Sequence, residues 1–134
     1  MTTRAKKEVF FVEEAQKHTS PIPEGVRAGG FIFLSAIRGV DPGTHQVEEE
    51  DPEKQARAAF EIVRLTLKAM GATMEDIVKI AVFMMDMGDR TAFNKVWAEV
   101  FPKDPPARYA VQVLDMGAPG DKSKFLLDVT ALAP

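Results

Sequence analysis

Apolar side chains recur with the period of an α-helix in two stretches of the chain. The first covers residues 51–71, "DPEKQARAAFEIVRLTLKAMG". Its apolar positions share one helical face and are Ala56, Ala59, Phe60, Val63, Leu67 and Met70. Asp51 is a favourable N-cap, Pro52 suits the first helical position, and Gly71 suits the residue just past the end. We therefore expect an amphipathic helix on a sheet. Its exposed face carries charges at ion-pairing spacings: Glu53, Arg57, Glu61 and Arg64.

The second helical stretch is expected to start after Asp89 as its cap and to stop before Pro102. Its apolar face comprises Phe93, Val96, Trp97, Val100 and Phe101. Between the two helices, residues 77–85 are nearly all apolar, which predicts a central strand buried on both faces. Further strands are predicted at residues 31–37, 108–115 and 124–133, with another near residues 6–13.

This order of elements predicts an α+β fold, with a mixed sheet that carries two helices on one face. We expect one domain over residues 1–134, a length at which a single core is usual. A strand as apolar as residues 77–85 is unfavourable next to water on the face without helices. Self-association of several copies through their sheets would cover that face.

Composition narrows the classes of function. The chain has 17 Lys and Arg against 20 Asp and Glu, a net charge of −3, so no overall basic field favours nucleic acid. It has no cysteine, which excludes disulfides and thiolate nucleophiles, and its two histidines are not at metal-ligand spacing. No apolar run reaches a membrane span, and we find no motif for a nucleotide or other cofactor. We expect a cytoplasmic protein with no cofactor, metal, nucleic acid or membrane partner.

The candidate chemistry centres on an arginine in the stretch "PPARYAVQV". Strand alternation places Arg108, Ala110 and Gln112 on one face, and Pro105 and Pro106 make the approach to the strand rigid. A guanidinium fixed at a strand end can receive a carboxylate through two parallel hydrogen bonds. The alternative is an ordinary exposed or salt-bridged arginine.

Other polar candidates have plain structural alternatives. Ser35 lies in an apolar strand, where its hydroxyl would commonly bond to the backbone. Asn94 flanks the apolar face of the second helix, and Asp128 and Thr130 are most simply the polar side of the last strand.

"PARYAVQV", together with "GFIFLSAI" and the helix–strand–helix text of residues 55–101, resembles the reactive intermediate deaminase (Rid, or YjgF and endoribonuclease L-PSP-like) family. The resemblance implies a chorismate-mutase-like fold, a homotrimer with inward-facing sheets, and clefts between neighbouring subunits. It also implies that Arg108 binds a substrate carboxylate, that Asn94 and Ser35 belong to the cleft, and that the backbone N–H of Ala110 contacts the ligand.

Three positions depart from the deaminating members of that family. Ile22, in "SPIPEG", stands where they have a tyrosine, and Thr130 stands where they have an acidic residue that orients or activates water. Ala36 also replaces the glycine after the cleft serine. Glu24 and Asp128 are candidates to replace the missing acid, although Asp128 is about 6.6 Å from Thr130 along a strand.

The resemblance therefore supports two hypotheses. The first is an enamine or imine deaminase, a hydrolase that acts on a small carboxylate substrate, with Arg108 and Thr130 as its catalytic residues. Ser35, Asn94, Ala110 and Ile22 would then bind the substrate. The alternative is a protein that binds a carboxylate metabolite without turnover, as the changes at Ile22 and Thr130 would allow. Ribonuclease activity is disfavoured by the net negative charge.

Overall fold

Seven strands and two α-helices make up the part of the chain that the computed structural model describes, which is residues 6–15, 20–48, 50–117 and 120–134. The first four strands are β1 (Glu8–Phe10), β2 (Gly25–Ala28), β3 (Phe31–Leu34) and β4 (Ile37–Arg38). They are followed by α1 (Pro52–Ala69), β5 (Ile77–Met84), α2 (Arg90–Val100), β6 (Ala107–Gln112) and β7 (Phe125–Leu132).

Helix α1 confirms the prediction made from its apolar stripe and its caps. The Asp51 carboxylate accepts a hydrogen bond from the backbone N–H of Lys54 at 3.1 Å. Gly71 follows the helix with φ of +82°, a conformation that favours glycine. All six predicted stripe residues are buried. The exposed face holds the expected ion pairs, Arg57 with Glu53 at 3.5 Å and Arg64 with Glu61 at 2.5 Å.

Helix α2 has the predicted span, but its cap differs from the prediction. Asp89 stands at the N-cap position with helical backbone angles, and its side chain makes no capping hydrogen bond. A short 3₁₀ turn, Met87–Asp89, precedes the helix, and the Asp86 carboxylate caps that turn by accepting from the N–H of Gly88 at 2.7 Å. The extended backbone that a capping aspartate needs therefore occurs three residues earlier.

The strands form one mixed sheet in the order β1-β2-β3-β7-β5-β6, with β4 also paired to β7. Strands β5 and β6 are parallel, and α2 makes the crossover between them, as parallel neighbours require. Both helices cover the same face. The ring of Phe93 in α2 lies 5.7 Å from that of Phe60 in α1 and 4.9 Å from that of Phe125 in β7. The α+β fold with two helices on one face of the sheet is therefore confirmed.

The other sheet face is left open by the described residues, and its exposed side chains are largely apolar. Large apolar residues that are 40–49 % exposed on this open face are Phe31, Phe33, Tyr109, Val111 and Leu132. The prediction that residues 77–85 are buried on both faces holds for Ala81 and Val82 but is wrong for Val78 and Lys79. Lys79 faces the open side of the sheet, in register with Thr130, and Val78 lies within a register shift between Ile77 and Lys79.

The strand predictions need three corrections. Strand β2 was not predicted, yet it pairs with both β1 and β3. A turn at Gly29 and Gly30, with φ of +57° and +80°, joins it to β3. The predicted strand at residues 31–37 is interrupted at Ser35, whose N–H bonds to the carbonyl of Glu24. Strand β6 also ends at Gln112, three residues earlier than predicted.

Among the described residues, no helix is long and apolar enough to cross a membrane.

Gly39→Ala should destabilise the protein, because a methyl group at this position would overlap the backbone carbonyl oxygen of Gln55 in α1. We expect the free energy of unfolding to fall by about 2 kcal/mol, as in other overpacked sites. Gly43→Ala is the matched control, since its added carbon would meet only the side chain of Asp41 at 3.2 Å. Chemical denaturation of the two variants measures the difference, and equal stability would contradict the close packing of this segment on α1.

Candidate functional site

The guanidinium of Arg108 lies between β6 and α2 at the edge of the sheet. One terminal nitrogen donates a hydrogen bond to Oδ1 of Asn94 at 2.5 Å. The guanidinium carbon is 4.9 Å from the ring centre of Trp97 and 5.3 Å from that of Phe93, within the range of cation–π attraction. Arg108 is thus half-buried and held by one hydrogen bond and two aromatic rings.

These contacts follow from the spacing of residues on α2. Phe93 and Trp97 are four residues apart, so they lie on one face of the helix, and Asn94 flanks that face. Trp97 is itself held by aromatic neighbours, with ring centres 4.7 Å away at Phe101 and 6.2 Å away at Phe60. The helix therefore supplies a rigid support for a side chain that the next strand contributes.

The backbone beside Arg108 offers free hydrogen-bond donors. Strand β6 is at the end of the strand order, so one of its two edges has no neighbouring strand among the described residues. The N–H of Val113 bonds to the carbonyl of Met84 in β5 at 2.9 Å. Since backbone groups alternate in direction along a strand, the N–H groups of Arg108 and Ala110 point to the free edge. A carboxylate at this edge could meet the guanidinium and a backbone N–H together.

No described acidic residue forms an ion pair with Arg108. Burial, and then the neighbouring positive charge of Arg90, lower the pKa of the Arg108 guanidinium from its usual value. An arginine keeps its proton throughout the physiological range even so. The site therefore holds an unneutralised cation with free donors, an arrangement suited to binding an anion.

Ser35 and Ile22 lie away from Arg108, where β3 ends and the segment before β2 contacts it. The Ser35 hydroxyl donates to the carbonyl of Pro23 at 2.6 Å, as the plain alternative for this residue predicted, so its oxygen is left to act as an acceptor. This bond attaches the turn that carries Ile22 to the end of β3, and the Ile22 side chain is 59 % exposed. Glu24 is only 5 % exposed and accepts from the N–H of Val12 at 2.5 Å, so it supports the backbone here.

Thr130 lies on β7 in register with Phe33 of β3 and Lys79 of β5. Lys79 is in turn in register with Ala107 of β6, so Thr130 shares the open face with these residues, whereas Arg108 points to the opposite face. Asp128 is exposed on the same face as Thr130.

The predicted site residues thus form two groups within one chain. Arg108, Asn94 and Ala110 lie together along β6 and α2, and this group is called the arginine cluster below. Ser35 follows β3, Thr130 lies on β7, and Ile22 lies on the turn that Ser35 holds through Pro23; these three residues are called the serine cluster. Strands β7 and β5 separate β3 from β6, a distance of three interstrand spacings or about 14 Å. One chain therefore does not bring the two clusters together.

Sequence reasoning missed the role of Phe93 and Trp97, which it assigned only to the helix core. The signal was present: an asparagine inside an aromatic pair spaced for one helical face, followed closely by a proline-flanked arginine. In the described part of the chain, no group of three or more His, Cys, Asp or Glu is arranged to hold a metal ion.

Comparisons with known proteins agree with this fold. The family model described as Endoribonuclease L-PSP matches residues 13–132. A RutC family protein of Pyrococcus horikoshii is 35 % identical over 127 residues, which cover 95 % of this chain and 97 % of that protein. The chloroplastic Reactive Intermediate Deaminase A of Arabidopsis thaliana is 32 % identical over 108 residues, 81 % of this chain and 58 % of that protein.

Solved structures place the fold in the same group. The crystal structure of the YjgF gene product of E. coli superimposes with a TM-score of 0.84 at 29 % identity, covering 95 % of this chain and 99 % of that one. Yeast Mmf1 has a TM-score of 0.88 at 22 % identity over 96 % of this chain, which shows likeness of fold. The chain therefore belongs to the Rid family of proteins, which includes the YjgF and RutC proteins.

Proposed function

We propose that this protein is an enamine and imine deaminase whose substrate carboxylate binds to Arg108. The observation that carries the proposal is the half-buried guanidinium, which is fixed by Asn94 and Trp97 and has no acidic partner among the described residues. The name of the Arabidopsis relative supports the reaction class. A net charge of −3 does not favour RNA, the substrate that the family model's description suggests.

The proposed reaction converts a 2-amino-2-enoate to a 2-oxo acid and ammonia. The enamine first takes a proton on its β-carbon and loses one from its nitrogen, and so becomes the imine. Water then adds its oxygen to the imine carbon, a proton moves to the nitrogen, and the carbon–nitrogen bond breaks to release ammonia. Arg108 and the N–H of Ala110 would hold the carboxylate, so that the imine carbon stays in a fixed place for the attacking water.

The serine cluster would act at the other end of the substrate. The Ser35 oxygen, whose proton is donated to Pro23, can accept a hydrogen bond from the imine nitrogen. The Thr130 hydroxyl can orient the attacking water but is no base near neutral pH, so this site lacks an aid typically worth about 100-fold or more. Ile22 would supply an apolar wall.

Within one chain, β3 lies about 14 Å from β6, and Thr130 on β7 lies two interstrand spacings, about 10 Å, from β6 and on the opposite sheet face. We therefore propose that the site is completed by a second copy. The open sheet face, with its exposed phenylalanines Phe31 and Phe33, supports this assembly, because such a surface is unfavourable next to water. A trimer would place the arginine cluster of one subunit against the serine cluster of the next.

Arg108→Ala is expected to lower kcat/KM for 2-aminoacrylate about 100-fold or more, because the carboxylate loses its charged partner. Arg108→Lys should remain poor, since an ammonium cannot reproduce the two-pronged contact or the stacking on Trp97. Ammonia release from the freshly generated enamine measures both variants. Arg64→Ala, which removes an exposed arginine on α1, is the control expected to keep wild-type turnover. Wild-type activity in Arg108→Ala would refute the site.

Thr130→Glu is expected to raise kcat about tenfold or more, because it adds a carboxylate that can take part in proton transfer to or from water. Thr130→Val should lower kcat only a few-fold, since it removes the hydroxyl and no charge. Single-turnover measurements on 2-aminoacrylate, with light scattering to verify equal assembly, would test this pair. A fully assembled Thr130→Glu variant with no gain in rate would contradict the role given to this position.

The alternative function, carboxylate binding without turnover, is favoured by the isoleucine at position 22 and the threonine at position 130. The same experiments distinguish it. Such a protein would bind pyruvate through Arg108 and would not accelerate ammonia release above the rate in buffer.

A further inference from the structure

Arg90 lies on the same side of α2 as Asn94. The two residues are four apart, so their side chains are neighbours on the helix surface. Asn94 is in turn hydrogen-bonded to the Arg108 guanidinium at 2.5 Å. Arg90 therefore stands one helical turn from the group that holds the proposed carboxylate-binding arginine.

A second contact fixes how α2 lies along β6. The N–H of Met87, just before the helix, donates to the side chain of Gln112 at 3.1 Å. Met87 thus faces Gln112, while Asn94 faces Arg108 at the other end of the strand. Because Arg90 lies between Met87 and Asn94 on this side of the helix, it is placed beside the middle of β6, at the level of Ala110.

Within the described ranges, no acidic side chain forms an ion pair with Arg90 or with Arg108. The other cation on α2, Lys95, is different, because it pairs with Glu53 at 2.8 Å. Asp86 precedes the helix, and its carboxylate is bonded to the N–H of Gly88.

The electrostatics agree with this geometry. After burial, the charge of Arg90 is the second cause that lowers the pKa of Arg108, so the two cations repel each other. An anionic group between them would relieve that repulsion. A ligand with two anionic groups could satisfy both guanidiniums, whereas a single carboxylate on Arg108 leaves Arg90 to water.

We propose that Arg90 forms a second anion subsite and gives the site a preference for dicarboxylate substrates of four or five carbons. This inference rests on the proposed function, in that Arg108 binds the first carboxylate. Arg90 binds the second carboxylate at the far end of the carbon chain, and Ala110 leaves room between the two. The favoured reaction is the hydrolysis of a dicarboxylate imine such as 2-iminoglutarate, in which water replaces the imine nitrogen and gives 2-oxoglutarate and ammonia.

The test compares two substrates with the same carbon count. 2-Iminoglutarate and 2-iminopentanoate, generated in place by oxidation of glutamate and norvaline, differ only in the second carboxylate. We expect wild-type kcat/KM to favour 2-iminoglutarate about tenfold or more at low salt. In Arg90→Gln this ratio should fall to about threefold or less, and in Lys95→Gln, which removes the same charge from the same helix, it should stay at the wild-type value.

Binding without turnover gives a separate measurement. The chain has one tryptophan, Trp97, which contacts the Arg108 guanidinium, so its fluorescence can report a carboxylate at this site. Glutarate and pentanoate are the matched probes. Wild type should bind glutarate about tenfold more tightly, and Arg90→Gln should lose that preference.

The two proposals fail in different ways. If both imines are hydrolysed with dependence on Arg108 but without preference, or if Arg90→Gln keeps the wild-type preference, the subsite is refuted and the deaminase stands. If neither imine is hydrolysed while glutarate is preferred and Arg90→Gln abolishes the preference, the subsite stands and the deaminase is refuted. Equal binding of glutarate and pentanoate by wild type would also overturn the subsite.

Discussion

A guanidinium that has no carboxylate partner in the described part of the chain is the constraint on which the site depends. Arg108 is partly removed from water, which disfavours its charge, and the chain compensates with two aromatic rings and one amide oxygen. These neighbours fix the orientation of the group and leave its charge unneutralised. Folding of the chain therefore supplies the free energy that orients the guanidinium. An incoming carboxylate then binds a cation that is already oriented. Helix α2 is placed to do this because it is the crossover between β5 and β6.

The second constraint is that one chain provides only part of the proposed cleft. In the serine cluster, Thr130 lies on β7, next to β5, and points to the sheet face opposite to Arg108, while Ser35 follows β3, one strand further away. The apolar open face offers a reason for copies to associate, since several large side chains there are nearly half exposed. Association of the copies would therefore also complete the site. A substitution on the open face would then affect turnover without touching the substrate.

The sequence predicts the local elements better than their pairing. Helix α1 followed from its stripe and caps because those signals are local, and its burial agrees at every stripe position. Strand β2 was missed because four residues with one buried position carry no alternation, and only the pair Gly29 and Gly30 marked its turn. The place of Arg108 near the start of a strand was predictable from the prolines before it, whereas its contact with Trp97 depends on how α2 crosses the sheet. The separation of the two clusters follows from the order of the strands in the sheet, which could not be predicted from the sequence.

Mixing of two inactive variants tests the central claim most directly. Arg108→Ala removes the cation of one cluster, and Ile22→Asp places a charge that repels the substrate in the other, on an exposed turn that tolerates it. If the site lies between copies, subunits refolded together from equal amounts will combine intact halves at about a quarter of the sites, as random assembly in a closed ring requires. We predict ammonia release from 2-aminoacrylate at about a quarter of the wild-type rate. A mixture no more active than its two components measured separately would contradict a site shared between subunits.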